Sequence, residues 1–212
     1  EIRREVIEWV VSSGQYVPRP DRKVPSEPRV GYVNGLAVSG PNLGLLIEIE
    51  ATAKKVGRRR GGLTVTGVIE EEEMGTHGHR LRRKSMAWGS VENVLTVLDG
   101  WIDEDLRDYQ IHVNFPGGIP IDGPSAGIAI ATAIYSAVKG KRVDNHLAMT
   151  GEISLHGGVK PVGGIIAKVE AARIAGATRV LIPSENYQKL FDGYNDIQVI
   201  PVKTLDEVLQ AS

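Results

Sequence analysis

The sequence predicts a mixed domain of class α+β (mixed α/β), and three observations carry that prediction. Two apolar runs of strand length flank a Gly40-Pro41-Asn42 turn, which predicts an antiparallel start. A long uncharged run follows Ser125, as a buried helix would. The last fifty or so residues then alternate helical periods with short β-rich runs such as "TRVLIPS" and "IQVIPV".

The elements follow in chain order. Residues 1–13 read as a short helix with Ile2, Val6, Trp9 and Val10 on one face. Pro18, Pro20, Pro25 and Pro28 punctuate "VPRPDRKVPSEPR", predicting an extended linker. The expected division is thus a helix and proline-rich linker over 1–28 and a compact domain over 29–212. A connector from a preceding domain and an arm packed on its own domain both fit the first part.

From Arg29, "GYVNGLAVSG", "LGLLIEIEATA" and "GGLTVTGVIEE" read as strands. The opposed charges of Glu70–Glu73 and "MGTHGHRLRRK" predict a solvated loop. A helix is expected from about Ser85 to Leu98, then a strand at "YQIHVNF" and a loop rich in glycine and proline. The helix after Ser125 has Pro124 suited to its first turn and Gly140 to its stop. "HLAMTGEISLHGGVKPVG" reads as a hairpin joining short strands. "GIIAKVEAARIAGA" reads as a helix, "TRVLIPS" as a strand, "ENYQKLFDG" as a helix, "IQVIPV" as a strand and "TLDEVLQ" as a final helix.

Composition narrows the function. With 42% apolar and 24% charged residues and a net charge of -1, the chain offers no electrostatic case for nucleic acid or an anionic membrane. Having no cysteine excludes disulfides, thiolate catalysis and cysteine metal sites, and fits the cytosol. The longest uncharged apolar stretch, Gly123 to Val138, is too short to span a bilayer.

Gly123-Pro124-Ser125-Ala126-Gly127 fits G-x-S-x-G, the nucleophile elbow of α/β-hydrolases. An elbow serine sits on a sharp turn directly between strand and helix. Here "PGGIPID" separates the two, and Pro124 favours a loop running into a helix. Asp144 and His156 would complete the order Ser…Asp…His, yet one lies in a polar turn and the other at an expected hairpin tip. His112 precedes the serine, and His77 and His79 make a weak metal pair. These facts disfavour a Ser-His-Asp esterase.

Ser125 therefore stands near the first turn of a buried helix, where free N–H groups and the macrodipole favour developing negative charge. It serves there as a nucleophile or only as a cap, a task open to Asp122 as well. A glycine loop leading into a helix also binds phosphate or nucleotide in other proteins. Lys168, meanwhile, shares a helix face with Ile165, Ala171, Ala172 and Ala175. It either snorkels outward or is buried, and burial favours its neutral amine, able to take a serine's proton.

Together "GGIPIDGPSAG" and "MTGEISLHGGVKPVGGIIAKVEAA" resemble the proteolytic domain of Lon, the ATP-dependent serine protease. The likeness is dense from about Tyr109 to Pro183, with Lys168 standing 43 residues after Ser125 as in the family. "RVGYVNGLAV" and "LRRKSMAWGSVENV" look more like the archaeal, membrane-tethered subtype than the bacterial one.

The resemblance implies a fold of several short mixed sheets, with Ser125 as nucleophile and Lys168 as general base. Asp122 matches the family's acidic position and Thr150 the threonine that bonds the lysine; a plain strand-end threonine is the other reading of Thr150. It further implies unfolded protein or peptide substrates, a hexameric ring and a partner AAA+ ATPase module. No cofactor is expected in this domain; ATP and Mg belong to that module, whose G-x-x-x-x-G-K-[ST] motif this chain lacks. The expected location is cytoplasmic, with a tether to the membrane's cytoplasmic face through an upstream segment. A Lon-like assembly module without catalysis is the competing implication.

Overall fold

A computed structural model describes residues 23–39, 43–67, 86–117 and 124–212. The expected N-terminal helix, the Gly40-Pro41-Asn42 turn, the charged loop with His77 and His79, and Asp122 lie outside the described residues.

The first half holds strands β1 (Arg29–Val30), β2 (Tyr32–Ser39), β3 (Leu43–Lys55), β4 (Gly62–Thr66) and β5 (Tyr109–Asn114), with helix α1 (Met86–Leu98) before β5. The second half runs α2 (Gly127–Lys139), β6 (Arg142–Val143), β7 (Leu147–Met149), β8 (Glu152–Ile153) and β9 (Val159–Lys160). It closes with α3 (Ile165–Ile174), β10 (Arg179–Pro183), β11 (Gln198–Val202) and α4 (Leu205–Ala211).

The α+β class holds, and seven strands gather into one mixed sheet in the order β11-β10-β7-β2-β3-β5-β4, beside two-stranded pairs β1-β6 and β8-β9. The expected antiparallel start is β2 against β3, which β5 extends. On the other flank β2, β7, β10 and β11 run parallel.

Side-chain alternation gives the sheet two apolar faces. Val33, Ala37, Ile47, Ile49 and Ala51 enter one core with α1, α2 and α4, whereas Leu36, Leu46, Ala148 and Val180 enter a second core with α3. The uncharged run after Ser125 is buried as expected: Ile128, Ile130 and Ile134 are wholly enclosed. Each contributes about 1.5–3 kcal/mol by leaving water. Gly140 ends α2 in the left-handed conformation, at φ 66°.

Two expectations need correction. "ENYQKLFDG" forms no α-helix but two 3-10 turns, Ser184–Asn186 and Lys189–Gly193. Tyr187 and Gln188 are extended between them, and only Phe191 in the stretch is buried, so no apolar stripe rewards a helix. Leu147–Met149 is no part of a hairpin either. It inserts as β7 between β2 and β10, leaving the hairpin to β8 and β9.

Residues 23–28 carry no regular element. They are nonetheless tied down, Val24 N–H donating to Ala175 O at 3.0 Å and Asn145 Nδ2 to Pro25 O at 2.8 Å. Among the described residues no helix is long and apolar enough to cross a membrane.

Candidate active site

β7 is the hinge of the site because its two connections lie on opposite faces of the sheet. α2, which precedes it, packs in the first core; α3, which follows it, packs in the second. Such a switch of faces opens a crevice at the carboxyl end of a parallel strand. Thr150 and Gly151 occupy that end of β7.

From one face comes Ser125, buried in the 3-10 turn Pro124–Ala126 that leads into α2. Its carbonyl accepts two hydrogen bonds, from Gly151 N–H at 2.9 Å and from the Thr150 hydroxyl at 3.0 Å. The Gly151 carbonyl in turn accepts from Ile128 N–H at 3.0 Å, one of the early amides of α2. This contact explains the second glycine of G-x-S-x-G. A Cβ on Gly127 would lie 2.8 Å from Ile153 N and 3.2 Å from Gly151 O, backbone atoms that have nowhere to go. The N-cap position of α2 is Ala126, which makes no side-chain cap bond.

From the other face comes Lys168, in the first turns of α3 and only 1% exposed. The snorkelling alternative is thus excluded: the whole stem and amine are enclosed. Gly164 starts α3 in the left-handed conformation at φ 66°, where a Cβ would also stand 2.6 Å from Val38. Its carbonyl accepts the Lys168 backbone N–H at 3.0 Å. Gly44 in β3 lies flush against Ala167 O, which lets the helix settle on the sheet.

Lys168 Nζ donates to the Thr150 hydroxyl at 3.2 Å. Since that hydroxyl donates to Ser125 O, it must act as acceptor toward the amine. One fully buried threonine side chain therefore joins the lysine of one face to the serine residue of the other. Thr150 is itself held by its backbone N–H, which donates to Leu181 O at 3.1 Å.

Ser125, Thr150 and Lys168 are neighbours, linked through the Thr150 hydroxyl; Asp122 lies outside the described residues. The alternative triad partners are engaged elsewhere. Asp144 pairs with Arg179 at 2.8 Å and accepts from the His146 amide. Burial pushes its carboxyl upward, but these two donors outweigh that effect and hold it below the usual carboxylate range. His156 is exposed in the turn between β8 and β9, and His112 bonds Thr66 at 2.9 Å. Among the described residues no group of three His, Cys, Asp or Glu side chains could hold a metal ion. A cavity of ≈ 460 Å³ lies toward the far end of α2, between Tyr135, Arg142 and Leu209, and shares no residue with this site.

Sequence reasoning missed Gly151 and Leu181, which act through backbone atoms and leave no residue-type signal. It also gave no weight to Asn186, the second residue of "ENYQKLFDG".

The comparisons with known proteins make this a serine-type peptidase domain. Residues 2–212 match the model of the Lon protease (S16) C-terminal proteolytic domain, and the chain belongs to that family. It is 53% identical over 209 residues to Lon protease 2 of Bacillus subtilis, covering 99% of this chain and 38% of that protein. It is 37% identical to the archaeal Lon proteases of Pyrococcus abyssi and Archaeoglobus fulgidus, covering 86% and 85% of this chain and 17% and 28% of theirs. The archaeal likeness expected from the sequence is present, and the Bacillus protein shows the higher identity of these three. The chain thus spans well under half the length of each of these relatives.

Proposed function

We propose that this domain hydrolyses peptide bonds through a Ser125–Lys168 dyad and an acyl-enzyme. The observation that carries the reading is the enclosure of Lys168, 1% exposed and bonded to Thr150 beside the Ser125 backbone. Desolvation disfavours an ammonium, so a lysine kept this dry favours the neutral, basic form.

Neutral Lys168 takes the Ser125 hydroxyl proton while Oγ attacks the scissile carbonyl carbon. Backbone N–H groups around Ser125 and the positive end of the α2 dipole receive the oxyanion. Lys168 then gives its proton to the departing amine as the C–N bond breaks, leaving the acyl-serine ester. Water repeats the cycle: its proton passes to Lys168, its oxygen joins the acyl carbon, and Ser125 regains a proton as the acid leaves. Thr150 donates its own proton to Ser125 O and accepts from Nζ, so the amine meets Thr150 with an N–H and not with its lone pair. Asp122 is proposed as an accessory acidic group that pairs with Lys168.

At the level of the whole protein, the reading is an ATP-dependent protease acting on unfolded polypeptide. An upstream AAA+ module, using ATP and Mg, would feed substrate to a hexameric ring of these domains in the cytoplasm, with a membrane tether upstream. The first 28 residues would then be the connector from that module.

The test is labelling of Ser125 by a serine-reactive acylating probe, followed across pH in parallel with peptide cleavage. Ser125→Ala should abolish labelling and Lys168→Met should nearly do so, with thermal unfolding still cooperative. The wild-type rate should climb with pH as the lysine deprotonates, then level off. Near-normal acylation by Lys168→Met, or a rate flat between about pH 6 and 9, would refute the dyad.

A further inference from the structure

We infer that Asn186 is a positioning residue, which sets the place of Lys168 from outside the site. This rests on the Ser125–Lys168 reading above.

Its side-chain amide grips one residue from both sides. Asn186 Oδ1 accepts from Val162 N–H at 2.7 Å, and Asn186 Nδ2 donates to Val162 O at 3.0 Å. These are the two bonds that a hydrogen-bonded antiparallel pair would exchange, made here by a single side chain. Val162 is half-buried against the second core and sits in the "PVGG" segment between β9 and α3, so its backbone groups need partners. Aspartate lacks the donor, alanine lacks both groups, and glutamine is one methylene too long.

What makes the grip functional is what lies on either side of it. Two residues after Val162, Gly164 turns left-handed and its carbonyl takes the Lys168 N–H. The start of α3, and with it the root of the lysine side chain, therefore follows Val162. On the other side, Asn186 ends the 3-10 turn that directly follows β10, and β10 supplies Leu181 O to the Thr150 N–H. One short segment, Leu181–Asn186, thus holds both ends of the Lys168–Thr150 bond: the acceptor through a backbone carbonyl, the donor's helix through a side chain. Loosening Asn186 would let α3 drift relative to Thr150 while Thr150 stayed in place. A misplacement of about 1 Å at a reacting group costs on the order of 10²-fold in rate.

The experiment uses the full 212-residue chain and compares wild type, Asn186→Ala, Asn186→Asp and Lys168→Met. Saturation kinetics with the serine-reactive probe separate its binding constant from the rate of bond formation. For Asn186→Ala we expect an unchanged binding constant, bond formation slower by about 10–100-fold, and a displaced pH midpoint. Asn186→Asp keeps the bond to Val162 N–H and should fall between it and wild type. Wild-type bond formation and pH profile in folded Asn186→Ala would overturn the proposal. If that variant fails to fold, the same wild-type behaviour in Asn186→Asp would do so. Should Lys168→Met also react normally, it is the dyad that fails; if only the Asn186 variants do, the positioning role fails alone.

Discussion

Replacing Thr150 by valine isolates the one side chain shared by both halves of the site. Valine has nearly the same outline, so the change removes a hydroxyl rather than opening a large void. Two hydrogen bonds are lost, Lys168 Nζ to Thr150 Oγ1 at 3.2 Å and Thr150 Oγ1 to Ser125 O at 3.0 Å. The Ser125 carbonyl is not orphaned, because Gly151 N–H still reaches it at 2.9 Å. That loss should cost about 0.5–1.5 kcal/mol; the loss at the buried amine costs more, about 1–3 kcal/mol. We expect a total near 2–3 kcal/mol, or roughly 5–10 °C in Tm for a domain of this size. The rate of Ser125 acylation should fall further, by about 10–100-fold, since the amine loses the group that orients it. Thr150→Ser restores the hydroxyl and should recover most of the rate. The assay is probe acylation alongside thermal unfolding. A valine variant that loses stability yet acylates within about twofold of wild type would show the hydroxyl to be structural only.

Gly127→Ala should destabilise by about 1–3 kcal/mol in thermal unfolding, because its Cβ meets the backbone at Ile153 and Gly151. Gly163→Ala is the control: nothing lies within 4 Å of its Cβ, so its Tm should be unchanged or slightly raised. Asp144→Asn probes acid stability. A carboxylate held low in the folded state adds stability above its unfolded value and loses it as the pH falls through its folded one. Wild type should therefore lose Tm below about pH 4 more steeply than Asp144→Asn, and parallel acid limbs would remove Asp144 from the account.

Much of the fold was legible because local periodicity carries it. The β2–β3 pair showed as alternation, and α2 as an uncharged run between Pro124 and Gly140. Where local pattern misled, an unseen partner had decided the outcome. At "ENYQKLFDG" only Phe191 finds a core to enter, so 3-10 turns form where a helix was expected, and β7 leaves its expected hairpin to pair with β2 and β10. The same limit applied to Lys168: a helix read alone does not say whether a lysine faces water or a core.

By itself the sequence determined most of the elements, the α+β class, the buried helix after Ser125 and the residues worth watching. Each of these depends on polarity and backbone preference over a few turns of chain, which neighbouring residues supply. Only the tertiary structure decided that Ser125 and Lys168 both bond the Thr150 side chain. They sit on helices that cover opposite faces of the sheet, and they meet at Thr150 because β7 is threaded between β2 and β10. That placement depends on how distant strands pair and bury surface, and no short stretch of residues encodes it.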